Sequence, residues 1–366
     1  VHDRGRSGHP GGMGNPETAR ARDRGVRPVA IVTGASRGLG FLIARELAAR
    51  GHDLVLCARS ADGLRAAEAD LVRAGADVAT VAADVADPDA ARSVVAEAER
   101  RFGRLDVLVL NAGVIQVGPA ATMSESDYAA AMDVMFWGAL HISTAAMPLL
   151  RRHRGAVLAV TSLGGKLPAP HLLPYTAAKH AAVGFAEGLR VEVIRDGVSV
   201  TVGVPGLMRT GSPRNAVFSG DGAAESRWFT AAANLPLVSM DAERAARRLV
   251  RATLRRQPEI ILTPLAKLGV RAHAIAPSTS LRVVSLVNRL LPNGDGPDRT
   301  VPGHRLRERV GRLGGLARRD DTTAVRTHEL DDPGRPQQAG ADALATGAEE
   351  GEQRGDDVLD DRAGKV

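Results

Sequence analysis

Val29-Ala30-Ile31-Val32-Thr33-Gly34-Ala35-Ser36-Arg37-Gly38-Leu39-Gly40 runs from a short apolar stretch directly into spaced glycines. A helical pattern follows through Phe41 to Arg50 and stops at Gly51, a natural C-terminal breaker. The order is strand, glycine turn, helix. Glycine lets backbone approach a ligand closely, and a helix N-terminus offers free N–H groups to an anion. The stretch therefore reads as a phosphate-binding turn. The plain alternative is an ordinary tight turn, and the G-x-x-x-G-x-G spacing differs from the commoner G-x-G-x-x-G.

Outward from this turn the chain keeps alternating. Strands are predicted over Asp53 to Cys57, Val78 to Ala82, Leu105 to Leu110, Ala156 to Val160, Val198 to Val204 and Glu259 to Leu262. Helices are predicted over Leu64 to Ala74, Asp87 to Phe102 with Asp87 as cap, Glu125 to Arg151, Pro174 to Arg195 and Ala242 to Arg256. The strands lack apolar/polar alternation, so both faces are buried. Repeated strand–helix units joined right-handedly give a three-layer α/β fold, a doubly wound parallel sheet. Ligands in such sheets bind outside the carboxyl ends of the strands.

The 366 residues divide into a basic arm over 1–27, a core domain over 28–264, an amphipathic helical extension over 265–293 and a polar tail over 294–366. The arm and tail are rich in Gly, Pro and charge without periodicity and are expected to be disordered, with a short helix around Arg305 to Ala317. Much of the +6 net charge sits in these ends. The arm has no aromatic residue to stack on bases, so a solvated tail is preferred to nucleic-acid binding. Aromatics are only 3% of the chain, so the core must rest on Ala, Val, Leu and Ile. One cysteine excludes an internal disulfide framework and fits a reducing, cytoplasmic compartment. No apolar run reaches the roughly 18 residues needed to cross a bilayer, and no signal-peptide stretch is recognised.

Tyr175 and Lys179 stand at i and i+4 of a predicted helix, hence on one face, with Ser162 at the end of a strand. A phenol of pKa about 10 is a poor base at neutral pH, and bringing it there requires roughly 4 kcal/mol. A neighbouring lysine, joined by an oxidised nicotinamide, supplies charge of the right sign. Tyr-x-x-x-Lys also arises by chance in helices, and Ser162 alone is a turn hydroxyl. Arg59 follows the second strand, after Ala58, where many NAD-binding folds place an acid for the ribose 2′-hydroxyl. With Arg37 it suits a 2′-phosphate; a solvated surface arginine is the alternative. Cys57 reads as a small buried residue, and His141, His153, His171 and His180 lack metal-ligand spacing, so no metal site is expected.

Together these residues resemble the short-chain dehydrogenase/reductase family in its compact one-domain form, over about Val29 to Leu262. TGASRGLG resembles the family's cofactor turn (Gly34, Ser36, Arg37, Gly38, Leu39, Gly40). Asp84-Val85 resembles the pair near the adenine, and Asn111-Ala112-Gly113 the segment after the fourth strand. Pro205-Gly206, with Leu207 and Thr210, resembles the segment at the nicotinamide carboxamide. The resemblance implies a Rossmann fold binding NADP(H) in preference to NAD(H). It implies Tyr175 as general acid/base, Lys179 lowering its pKa and binding the nicotinamide ribose, and Ser162 orienting the substrate oxygen. It also implies a homodimer through the two long helices. One departure stands out: where many members carry Asn in an Asn-x-x-Gly pattern, this chain has Met135 in Met135-Phe136-Trp137-Gly138, which puts the proton relay in doubt.

The expected activity is interconversion of a secondary alcohol and a ketone. A hydrophobic substrate is suggested by Leu172, Leu173, Leu207, Met208, Phe218, Trp228 and Phe229 in loops above the cofactor, unless these pack among themselves. The rival is a non-catalytic dinucleotide-binding sensor or scaffold. Beyond the last strand, Leu265, Leu268, Ala272 and Ile275 recur at helical spacing, as do Leu281, Val284, Val287 and Leu291, with Lys267, Arg271, Arg282 and Arg289 beside them. Such a stripe either packs on the domain as a lid, its commoner fate, or makes a peripheral contact with an anionic membrane.

Overall fold

The computed structural model describes residues 27–209, 211–234, 239–292, 300–310 and 327–329. Seven strands form the main sheet: β1 Val29–Thr33, β2 Asp53–Ala58, β3 Val78–Ala82, β4 Val107–Leu110, β5 Ala156–Val160, β6 Ser199–Val204 and β7 Glu259–Ile261. Their order is β7-β6-β5-β4-β1-β2-β3, and every neighbouring pair is parallel. The order reverses between β1 and β4, which opens a crevice at their carboxyl ends.

The helices between them are α1 Gly38–Ala48, α2 Ala61–Arg73, α3 Pro88–Phe102, α4 Glu125–Met132, α5 Gly138–His153 and α6 Leu173–Val193, followed by α7 Gly222–Asn234 and α8 Ala242–Leu254. β1, β4, β5 and β6 are buried along their whole length, as their unbroken apolar runs require. Successive side chains enter opposite cores. Ala30 and Val32 join α1, α2 and α8 on one face, and Ile31 joins α3, α5 and α6 on the other. These are the three layers.

Local chemistry sets the boundaries. The Asp87 carboxylate accepts from the Asp89 and Ala90 N–H groups and caps α3. Gly51, at φ +83°, closes the turn after α1. The long helix expected over Glu125 to Arg151 is interrupted by a π-turn at Asp133–Trp137. A Cβ at Gly138 would lie 2.7 Å from Val85 Cγ2, so glycine lets the helix resume against the end of β3.

Several elements were not expected. Leu207–Arg209 pairs with Ser239–Asp241, and Val217–Phe218 pairs with both Gln116–Val117 and Val301–Pro302. Part of the supposed polar tail is therefore built into the domain. Helix α11, Gly303–Val310 once the two helices below are counted as α9 and α10, buries Leu306 against Phe218 and Phe229. The helix expected over Arg305 to Ala317 thus begins at Gly303, and residues 311–317 lie outside the described residues. So does the arm, apart from Arg27. The extension forms two helices, α9 Pro264–Ile275 and α10 Pro277–Asn288. The favoured lid packing does not occur: Leu265, Leu268, Ala272 and Ile275 are all exposed.

Candidate active site

The glycine turn is shaped by its neighbours. Gly34 and Gly38 have φ of +64° and +58°, which L side chains rarely adopt. A Cβ on Gly40 would lie 2.1 Å from the Gly34 carbonyl oxygen. The end of β4 braces this turn. Asn111 Nδ2 donates to the carbonyls of Thr33 (3.0 Å) and Gly34 (3.2 Å). The buried Thr33 hydroxyl donates to Val109 O and accepts from the Asn111 and Ala112 N–H groups at 2.9 and 3.1 Å. Asn111 and Ala112 thus act here as scaffold, and Thr33, which sequence reasoning passed over as a strand residue, joins them.

Arg37 precedes α1 in extended backbone and leaves the helix N-terminus without a side-chain cap. The Gly38 N–H donates instead to the Thr327 carbonyl at 2.7 Å. The Glu329 carboxylate lies over Gly38, where a Cβ would meet Oε1 at 2.9 Å, and accepts from the Gly211 N–H. A carbonyl and a carboxylate thus already lie at the turn, whose backbone fits a phosphate. Partial burial pushes the Arg37 guanidinium below its ordinary pKa; Glu329 acts upward and Arg59 further downward. Arg59 is thus a charged neighbour of Arg37. Leu39 is buried in the core and can offer only backbone. Ser36 sits against the start of α2 at Gly63. Asp84 accepts from the Ala86 N–H at 3.0 Å, while Val85 is buried beside Gly138. Near Asp84, Cys57 is pushed up to about 12, first by burial and then by that carboxylate, so its thiol is inert.

Ser162 leaves β5 in extended backbone, and its Oγ accepts from the Gly164 N–H at 3.1 Å. Ser162 stands close enough to Tyr175 to influence its phenol. At Gly164 a Cβ would lie 3.2 Å from Tyr175 Cε1, a tight contact. One turn along α6, the buried Lys179 donates from Nζ to the Val160 carbonyl at 3.0 Å and lies 5.7 Å from the Tyr175 ring centroid. Ser162, Tyr175 and Lys179 are therefore brought together.

The electrostatics differ from expectation in one respect. Burial raises the Tyr175 phenol above its usual pKa, and nearby Ser162 only partly opposes this. Lys179 is itself depressed to about 8 by burial. Its ammonium donates to the Val160 carbonyl and lies over the Tyr175 ring.

Pro205 accepts from the Leu163 N–H at 2.8 Å and ties the β6 loop to the Ser162 loop. Gly206 and Leu207 follow, and Thr210 lies outside the described residues. Met135 is buried in the π-turn: a Cβ on Gly113 would lie 3.5 Å from its sulfur and 3.8 Å from Lys179 Nζ. A cavity is lined by Lys179, Met135, Thr33, Val160 and Phe185 among others.

Phe218 and Phe229 are buried with Val117, Ala216 and Leu306, so they pack among themselves and do not face a substrate. Met208 packs on the main core. Leu172 and Trp228 are half-buried and Leu173 is exposed. Sequence reasoning also missed a buried pair: His171 Nδ1 lies 2.8 Å from Glu225 Oε1, and Trp228 Nε1 donates to the same carboxylate. This ties the loop before α6 to α7. No sequence signal marks it, since the partners stand 54 residues apart. Among the described residues no His, Cys, Asp and Glu cluster could hold a metal ion.

Comparison with known proteins gives the same assignment. Residues 28–217 match the family model for short chain dehydrogenase. A ketoacyl reductase of the granaticin polyketide synthase in Streptomyces violaceoruber is 36% identical over 188 residues, 50% of this chain and 69% of that protein. An 11-beta-hydroxysteroid dehydrogenase of Arabidopsis thaliana is 37% identical over 196 residues, 53% of this chain but only 56% of that protein. The solved structure of a short-chain dehydrogenase from Streptomyces avermitilis superposes with a TM-score of 0.62 at 29% identity, over 72% of this chain and 98% of that one. The chain belongs to the short-chain dehydrogenase family and is an oxidoreductase that works with a nicotinamide dinucleotide.

Proposed function

We propose that this chain interconverts a secondary alcohol and a ketone with NADP(H), using Tyr175 as general acid/base. The observation that carries the reading is Ser162 standing beside the Tyr175 phenol, with Lys179 buried one helical turn away. When bound, the dinucleotide supplies or accepts the hydride. In reduction the Tyr175 hydroxyl gives its proton to the carbonyl oxygen, which Ser162 Oγ orients; in oxidation the proton returns. Lys179 holds positive charge beside the phenol, while Gly34, Gly38 and Gly40 admit the phosphates. Pro205, Gly206, Leu207 and Thr210 are read as the nicotinamide side of the site, and Asp84 and Val85 as the adenine side.

An apolar substrate fits the half-buried Leu172 and Trp228 and the kinds of activity for which two relatives are named, ketoacyl reduction and hydroxysteroid dehydrogenation. Incubation with NADPH and a panel of ketoacyl, steroid and simple ketones, followed by absorbance, tests the activity. Cofactor binding without turnover on any of them supports the sensor reading, which Met135 alone favours. A homodimer through α4, α5 and α6 is part of the proposal. Trp137, Val191 and Ile194 are exposed apolar residues in or beside these helices. The buried free Cys57 agrees with a cytoplasmic location.

The choice of NADP rests on Arg37 and Arg59 and on the lack of an acid at Ala58. Ala58→Asp with Arg59→Ala is expected to shift the ratio of dissociation constants toward NAD by about 10- to 100-fold, the value of one or two charge-assisted bonds. Direct titration with both reduced cofactors measures it. Tighter NADH than NADPH binding by the unmodified chain would sink the preference.

A further inference from the structure

The α9–α10 hairpin presents an apolar surface that none of the described residues covers. Leu265, Leu268, Ala272 and Ile275 form one exposed row along α9, and Val283, Leu286 and Leu290 another along and just past α10. Ile275 and Leu290 are 85% and 83% exposed. Lys267, Arg271, Arg282 and Arg289 lie among these rows, and residues 264–292 contain no Asp or Glu. The hairpin is nevertheless firmly rooted. Thr263 caps α9 through the Ala266 N–H, Ala266 is buried, and His273 Nδ1 lies 3.1 Å from Ser280 Oγ across the bend. Gly269 backs onto Leu167, in the loop that carries Ser162.

We propose that this hairpin docks the enzyme peripherally on an anionic lipid surface. Apolar rows flanked by cations and free of acids match an anionic interface. They do not match a second copy of the same hairpin, which would gather like charges with no acid between them. No helix among the described residues is long and apolar enough to cross a membrane, so the contact lies on the surface. Through Leu167 the docked face adjoins the Ser162 loop, which suits a substrate dissolved in lipid. That consequence rests on the proposed activity; the docking does not.

The test is co-sedimentation of the full chain with vesicles of phosphatidylcholine and phosphatidylserine, and with phosphatidylcholine alone. Binding is expected to the anionic vesicles, weakening as salt rises. Removing the four cations should weaken it by at least about 100-fold, at roughly fivefold for each. Leu268→Glu with Ile275→Glu and Leu290→Glu should abolish it, leave turnover of a soluble ketone unchanged and leave a dimer's mass by light scattering. No binding by the full chain, or equal binding by the triple variant, overturns the proposal. So does a fall to a monomer's mass in that variant, which would make the occupant a second copy.

An independent observation concerns Thr327, His328 and Glu329. His328 stacks on Phe41 with centroids 4.2 Å apart and lies 2.7 Å from Asp70, which pins the segment over the α1 N-terminus. There Thr327 and Glu329 engage the Gly38 and Gly211 N–H groups. We infer that this segment stands in for the dinucleotide's phosphates, so that cofactor binding must expel it. The inference rests on the dinucleotide-binding reading of the turn. Glu329→Ala and, separately, His328→Ala in the full chain are each expected to tighten NADPH binding about 10-fold, as when nine-tenths of the molecules start closed. Unchanged or weaker binding in both variants overturns the inference. If neither they nor the unmodified chain bind NADPH, the reading of the turn fails with it.

Discussion

Tyr175→Phe is expected to lower turnover about 10²- to 10⁴-fold, the usual cost of losing a positioned proton donor. Cofactor affinity should stay nearly unchanged. The phenylalanine ring keeps the packing against Gly164 and Met135 and removes only the hydroxyl beside Ser162. Burial holds the Tyr175 phenol above its usual pKa, so the free enzyme carries the proton at neutral pH. Ketone reduction, which needs that proton, should therefore hold its rate through neutrality. Alcohol oxidation, which needs the phenolate, should climb with pH. Initial rates in both directions across the pH range check both statements. A phenylalanine variant with near-normal turnover would remove Tyr175 from the chemistry.

The sheet was legible because its strands are buried on both faces and so appear as unbroken apolar runs. The placement of Ser162, Tyr175 and Lys179 was legible because two share a helix turn and the third ends a strand. What escaped was mostly non-local. Leu306 finds Phe218 and Phe229 from far along the chain, in a segment whose composition reads as solvated tail. Thr327 and Glu329 reach the glycine turn from the same polar region. The π-turn at Asp133–Trp137 escaped because one extra residue in a turn scarcely disturbs helical spacing. The stripe beyond β7 forms two helices, Pro264–Ile275 and Pro277–Asn288. Periodicity could not say which neighbour would cover it, and the domain covers little beyond Ala266.

Lys179→Met should uncouple activity from stability. The lysine is buried, with the Val160 carbonyl as its hydrogen-bond acceptor, and burial depresses it from 10.5 to about 8. Such a depression corresponds to about 3 kcal/mol against the charged form. Unfolding releases the side chain to its ordinary pKa. Between about pH 8 and 10.5 the unfolded chain then binds a proton that the folded chain has lost. Folding stability from this group therefore rises with pH across that window, and below it the full penalty is present. The methionine variant carries no such penalty, although it leaves the Val160 carbonyl without its donor, an opposing cost of about 1–3 kcal/mol. The sign of the pH trend does not depend on that balance. Relative to the variant, the unmodified chain should gain thermal stability as pH rises from 8 toward 10.5. Turnover of the variant should fall about 10²- to 10³-fold, as when a positioned charge is removed from a buried site. NADPH affinity should fall with it. Paired melting curves at several pH values and steady-state rates measure both. A stability difference that does not change with pH would mean that Lys179 is neither desolvated nor depressed, and the charge assigned to it beside Tyr175 would lose its physical basis.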